Sequence, residues 1–251
     1  QGLLRNPLAD GSTLGVSSGA SVVGGIAGTN LAAGVIESCT TTGSVYGAHF
    51  IGGIAGENHG IIANCTNTSS VNTTVEQNDI DLSSLTLNDL IGTENVADIT
   101  DIGGIAGQSG GVIRACMNRG TVGYQHMGYN VGGIAGTNEG SGMIYNCKTE
   151  GFVEGDHYVG GIVGQNIGTI SYCSNTTGVN INASEAVDSA EDLDSLTLPT
   201  ASDDEDDDAP KKANTSTDVG GICGFSSGVI IGCTNWGGVG FEHVGYNIGG
   251  I

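Results

Sequence analysis

The stretch GYNVGGIAG occupies residues 128–136, and GYNIGGI returns 117 residues later at 245–251. Two adjacent glycines inside an apolar run weaken an isolated strand or helix. A chain that repeats them needs them at a fixed place in a repeated structure. Working outward, [VI]-G-G-I-x-G occurs at 23–28, 51–56, 102–107, 131–136, 159–164 and 219–224, and begins again at 248. The steps are 28, 51, 29, 28, 60 and 29 residues. Two of them are therefore one unit plus an insertion of about 22 and about 31 residues.

Each unit continues alike. A polar corner follows the core string, as in Thr29-Asn30, Glu57-Asn58, Thr137-Asn138 and Gln165-Asn166. Then come Gly, an aliphatic pair and Cys, as in GVIESC, GIIANC, GVIRAC, GTISYC and GVIIGC. A polar turn such as TTTG or MNRG leads to a short run such as SVYG or FVEG. From the first residue of each unit the Cys lies at offset 16, 14, 14, 16, 14 and 14, and the corner residue runs Asn, Asn, Ser, Asn, Asn, Ser. Three units thus form a super-repeat, 108 residues long and then 117. The insertions fall in the second and fifth units of the chain, the middle unit of each super-repeat, and share a phrase, DLSSLTL at 81–87 and DLDSLTL at 192–198.

Short Val- and Ile-rich segments with alternating polarity read as strands, and the glycine content and absent 3.6-residue period exclude helices. One unit buries about six aliphatic side chains, too few to offset the ordering of some 28 backbones. Stacking removes the deficit, because each strand pairs with its equivalents above and below. The expected fold is all-β: a parallel β-solenoid with about 28 residues per coil, three short strands per coil, and a right-handed coil by analogy with strand crossovers. Residues 1–22 would end a preceding incomplete coil. Coils would start at 23, 51, 102, 131, 159, 219 and 248, with insertions over 70–100 and 180–217. The chain reads as a piece of a longer protein. Read as one strand, VVGGIAG puts Ile26 on one face and leaves the other nearly bare. The glycine columns are expected where φ is positive or where walls meet closely. The corner Asn column is expected to bond its amides from coil to coil.

These units resemble the GLUG repeats of large bacterial surface and secreted proteins. The resemblance lies in the (V/I)GGI(A/V)G string with its Asn corner, the G-x-I-x-x-C segment and the N-x-G-x-V turn. It covers about 180 of the 251 residues and leaves out the insertions. It implies extracellular or wall-associated stalks and adhesin-like passengers. Some family members accompany metallopeptidase domains that cleave immunoglobulins.

Net charge is −21, from 27 acidic and 6 basic residues. Nucleic acid, which needs clustered cations, is not an expected partner. No apolar run is long enough for a membrane helix. Cys39, Cys65, Cys116, Cys147, Cys173 and Cys233 share one column and read as buried thiols, with disulfides or a metal as alternatives. Cys223 replaces the Ala or Val of the motif. The insertions carry most of the acid: Glu76 to Asp101 in the first, and SDDEDDD at 202–208 in the second. Asp79, Asp81, Asp204, Asp206 and Asp208 are candidate Ca²⁺ ligands, against a solvated, self-repelling loop. His157, close to Glu154 and Asp156, is a further metal candidate. Both insertions would leave at the same corner, three coils apart. Tyr124, Tyr129, Tyr158, Trp236 and Tyr246 form a candidate binding edge near the turns before the GGI string. There is no HExxH, GxSxG or P-loop, and no catalytic residue or cofactor is expected. The function expected is a structural or adhesive segment at the cell surface or outside the cell, with a host or glycan ligand. The alternatives are a carbohydrate-binding or polysaccharide-degrading β-helix, and an accessory region of a secreted peptidase.

Overall fold

The computed structural model describes residues 3–5, 16–17, 22–73, 100–124, 128–181, 217–240 and 246–251. Regular structure among them is entirely β-strand, arranged in five parallel sheets. Each sheet takes one strand per coil, in chain order. One stacks Val23–Gly24, His49–Gly52, Thr100–Gly103, Tyr129–Gly132, His157–Gly160, Thr217–Gly220 and Tyr246–Gly249. The seven motif starts are in register: Val23 faces Ile51, which faces Ile102, and so on through Val131, Val159, Val219 and Ile248. Two short strands, Leu3–Arg5 and Val16–Ser17, pair with Val35–Glu37 and Val45–Tyr46 of the first full coil.

A coil has five short strands where the sequence suggests three. In the second coil they are His49–Gly52, Ala55–Asn58, Ile61–Ala63, Thr66–Asn67 and Ser70–Val71. The first apolar segment bends between Gly52 and Ala55. The second breaks at Asn64, whose φ is 53°. The equivalent residues Ser38, Ala115, Asn146 and Tyr172 are also left-handed, at 57°, 51°, 53° and 53°. One left-handed residue reverses the side-chain alternation, so the Cys that follows points inward with the preceding Ile. The bend at the glycines likewise corrects the two-faced reading of VVGGIAG. Ile51, Ile54 and Ala55 are all fully buried, because the strand on each side of the bend aims its own residue inward.

Two aliphatic columns result. One contains the GGI isoleucines, the strand isoleucines Ile36, Ile62, Ile113, Ile144 and Ile170, and the cysteines. The other joins the motif-initial Val and Ile to Val45, Val71, Val122, Val153 and Val179.

The paired glycines owe their place to close approach. None of the pairs has positive φ. A Cβ on Gly52 would lie 2.8 Å from the Ala106 Cα of the next coil. On Gly53 it would lie 2.5 Å from the Asn67 Oδ1, and closer still to the Gly104 carbonyl.

Both insertions leave the solenoid from one column. Val71, Val122, Val153 and Val179 form successive parallel bridges, so the two departure points are three coils, about 14 Å, apart. Ser70–Val71, Asn72 and Asn180 still belong to their coils, and the chain resumes register at Thr100 and Thr217.

Candidate functional site

Buried amides cross from coil to coil in two ladders. The first is the predicted corner column. Asn30 Nδ2 donates to Asn58 Oδ1 (2.8 Å), Asn58 Nδ2 to Ser109 Oγ (3.1 Å), Asn138 Nδ2 to Asn166 Oδ1 (2.8 Å) and Asn166 Nδ2 to Ser226 Oγ (3.1 Å). The second ladder was not read from the sequence. Thr41 Oγ1 donates to Asn67 Oδ1 (2.7 Å), Asn67 Nδ2 to Asn118 Oδ1 (2.8 Å) and Asn175 Nδ2 to Asn235 Oδ1 (2.9 Å). Its signal was available: the second residue after every column Cys is Asn or Thr. These Asn and Thr side chains face the second glycine of the first six pairs, which explains why that glycine is required.

A third amide appears only where an insertion departs. Asn72 accepts from Gly47 N (3.0 Å) and donates to Gly47 O (2.9 Å). Asn180 does the same to Gly155, at 2.8 Å each way. At both points the side chain satisfies the N–H and the C=O of a glycine of the coil below.

The predicted aromatic edge divides. Tyr129 shares an outward position with His49, Thr100 and His157, and Tyr246 is in register with it through Thr217. The Tyr129 and His157 rings meet at a tilt of 40° with centroids 4.7 Å apart. His49 Nδ1 and Thr100 Oγ1 lie 3.1 Å apart. Asp156 Oδ2 approaches His157 Nε2 at 3.2 Å. Tyr158 occupies the next position along the strand and meets Phe225, with ring centroids 5.2 Å apart. Tyr124 is exposed. Trp236, 70% exposed, lies at another corner, in the column of Arg119, Glu150 and Thr176. There Lys148 and Arg119 hold the Glu150 carboxyl below its ordinary range.

Asp101, counted with the first acidic insertion, is a coil residue instead. It is buried with φ 58°, and its Oδ1 accepts from Asn130 Nδ2 at 3.1 Å and from Thr137 Oγ1. Asp79, Asp81, Asp204, Asp206 and Asp208, and both DLxSLTL phrases, lie outside the described residues. Among the described residues no three His, Cys, Asp or Glu side chains are grouped to hold a metal.

The seven cysteines are free thiols. Each column thiol donates to the carbonyl two residues before it, as Cys65 Sγ does to Ala63 O at 3.2 Å. Burial pushes the Cys39, Cys147 and Cys223 thiols up, Cys223 to about 12.

The fold and its ladders define a class: a parallel β-solenoid of tandem glycine-rich coils. The family model for the GLUG motif matches residues 127–153, which cover the Tyr129–Gly132 strand, its GGI string and the corner and Cys segment that follow. That match covers one unit of the stack and is consistent with a GLUG-motif repeat protein; the other copies of its GGI string lie in register with it. No curated protein and no solved structure matches it.

Proposed function

We propose that this chain is a rigid shaft in a bacterial surface or secreted protein, non-enzymatic, with an outer face that contacts a glycan or host ligand. The supporting observation is the stack itself. Seven motif copies are held in register by five sheets, and polar side chains inside are committed to joining one coil to the next. At about 4.8 Å per coil the array adds length in proportion to repeat number. The column of His49, Thr100, Tyr129 and His157 offers rings and hydroxyls on one outward line, a surface suited to sugar rings.

A glycan array combined with an activity screen on acidic polysaccharides tests the proposal. Binding without cleavage, weakened by Tyr129→Ala, is expected. Cleavage of any polysaccharide, abolished by an Asp→Ala change, would replace the shaft with an enzyme. Antibody labelling of intact cells tests the location, and labelling that appears only after lysis would overturn it.

A further inference from the structure

One level lacks both polar ladders. In the first, Asn58 reaches Ser109 across the level interrupted by an insertion. Ser109 and Asn138, joined by uninterrupted chain and paired in register, share no side-chain bond, and Asn138 Oδ1 is a buried acceptor without a partner. In the second, Asn67 reaches Asn118. Thr149, in register with Asn118 below and Asn175 above, has its Oγ1 buried and unpartnered, so the second ladder is open on both sides of that coil, while the first is open only below it, Asn138 still donating to Asn166. Asn130 Oδ1 is the third such atom. All three stand on the coil that opens the second super-repeat, with Asn130 at its leading edge.

The backbone ladder continues across this level. Gly104 N donates to Gly132 O (3.2 Å), and Ile105 N (2.9 Å) and Ala106 N (3.0 Å) donate to Ile134 O. Side chains cross it at Asp101, which receives Asn130 and Thr137, and on the outer surface, where Gln108 Nε2 donates to Glu139 Oε1, Ser141 Oγ to Gly110 O and Arg119 Nε to Glu150 Oε2, each at 2.9 Å; such exposed bonds add little to stability. The same stitch closes the second super-repeat, where Asn247 Nδ2 donates to Asp218 Oδ1 at 2.9 Å. Within a super-repeat that column holds Phe50 or Tyr158.

We propose that the level between the coils starting at 102 and 131 is a fault line. Each three-coil block is a cooperative unit, and the solenoid opens there first under heat or tension. In a solenoid, stability is a sum over coils and the interfaces between neighbours. An interface that lacks both amide ladders and carries unmet buried acceptors is the weakest term, and local opening follows the weakest term. A shaft built this way yields between blocks before any block unravels. The proposal rests on the coil stack alone and is independent of where the protein acts.

The test is residue-resolved hydrogen exchange by NMR on the whole chain. The amides of Gly104, Ile105 and Ala106 bridge the fault. Those of Gly53, Ile54 and Ala55 bridge the level below, and those of Gly133, Ile134 and Ala135 the level above. The fault amides are expected to exchange about tenfold faster than both other sets, the change in opening constant that one lost buried bond produces. The double variant Ser109→Asn/Thr149→Asn should remove the difference. Asn suits position 109, because Asn58 occupies the same corner with the same Cys offset. Asn suits position 149, because Asn67, Asn118 and Asn175 stand against equivalent glycines. Equal exchange at the three levels in the unaltered chain overturns the proposal. So does a difference that survives in a folded double variant. The comparison in the unaltered chain stands whether or not the double variant folds.

Discussion

A methyl group has no place at the second glycine of the first six pairs. The Gly53→Ala change would drive a Cβ into the Asn67 amide and the Gly104 carbonyl, both fixed by hydrogen bonds, so neither can give way. A loss of about 2–3 kcal/mol is expected in guanidinium unfolding. At Gly140 the added Cβ would meet only the Ile167 Cγ2, 3.8 Å away. There the same substitution should shift stability by less than about 1 kcal/mol, toward stabilisation through the unfolded chain. Equal effects at the two sites would refute close approach as the reason for the pair. Cys223 makes a second prediction at this scale. Its folded thiol is raised from 9.0 to about 12 by burial. The folded protein therefore binds that proton more tightly than the unfolded chain does. The stabilisation is complete below about pH 9 and is lost as pH rises toward 12. Thermal melts under reducing conditions should fall above pH 9. The Cys223→Ala change should flatten that slope, because Ala already stands at the equivalent positions 27, 55, 106 and 135. An unaltered slope would remove Cys223 as a cause.

Strands of two to four residues are too short to hold a wall by themselves, so the ladders between walls carry the specificity of stacking. Asn67 accepts from Thr41 Oγ1 and from Ser69 N and Oγ, and donates to Ser69 O and Asn118 Oδ1. Asn67→Ala leaves these groups buried and unmet, and should cost about 2–4 kcal/mol in chemical denaturation. Asn64, three residues earlier and exposed, provides the contrast. Its left-handed backbone is matched by Ala115 at φ 51°, so Asn64→Ala should cost about 1 kcal/mol or less. Comparable losses would mean that the ladder adds nothing beyond its backbone. The two residues also mark what the sequence disclosed. Strand segments, coil register and the corner ladder were legible because Gly, Asn and Cys recur at fixed offsets. The second ladder was missed because Thr41 and Thr149 alternate with Asn in it. The strand count was missed because the left-handed breaks fall on Ser38, Ala115 and Tyr172, residue types that give no warning of positive φ. The same breaks decide which wall a residue joins, so a pattern of spacings could not show that Trp236 stands apart from Tyr129.

For the molecule as a whole, coils depend on their neighbours and insertions do not interrupt that dependence. Ile134 is fully buried, and its backbone joins the coils on both sides. Ile134→Asp places an unpaired charge in the aliphatic column, and should abolish the protection of amides at both adjacent levels in hydrogen exchange. Protection confined to normal at either level would contradict the shared core. The insertions are expected to behave oppositely. In the first coil the chain passes from Tyr46 to His49 through Gly47-Ala48. In the second, Asn72 holds the rim by clamping Gly47, and Thr100 resumes at the next position, its N–H donating to Ala48 O at 3.2 Å. Departure and return therefore abut on neighbouring residues of the coil below. Replacing residues 73–99 with Gly-Ala rebuilds the short connection of the first coil. Since a shorter loop loses less entropy on closure, by about 0.6 kcal/mol for each halving, the shortened chain should keep its β-sheet circular dichroism and unfold at the same or a higher denaturant midpoint. A lower midpoint, or loss of a cooperative transition, would show that residues 73–99 contribute to holding the coils together.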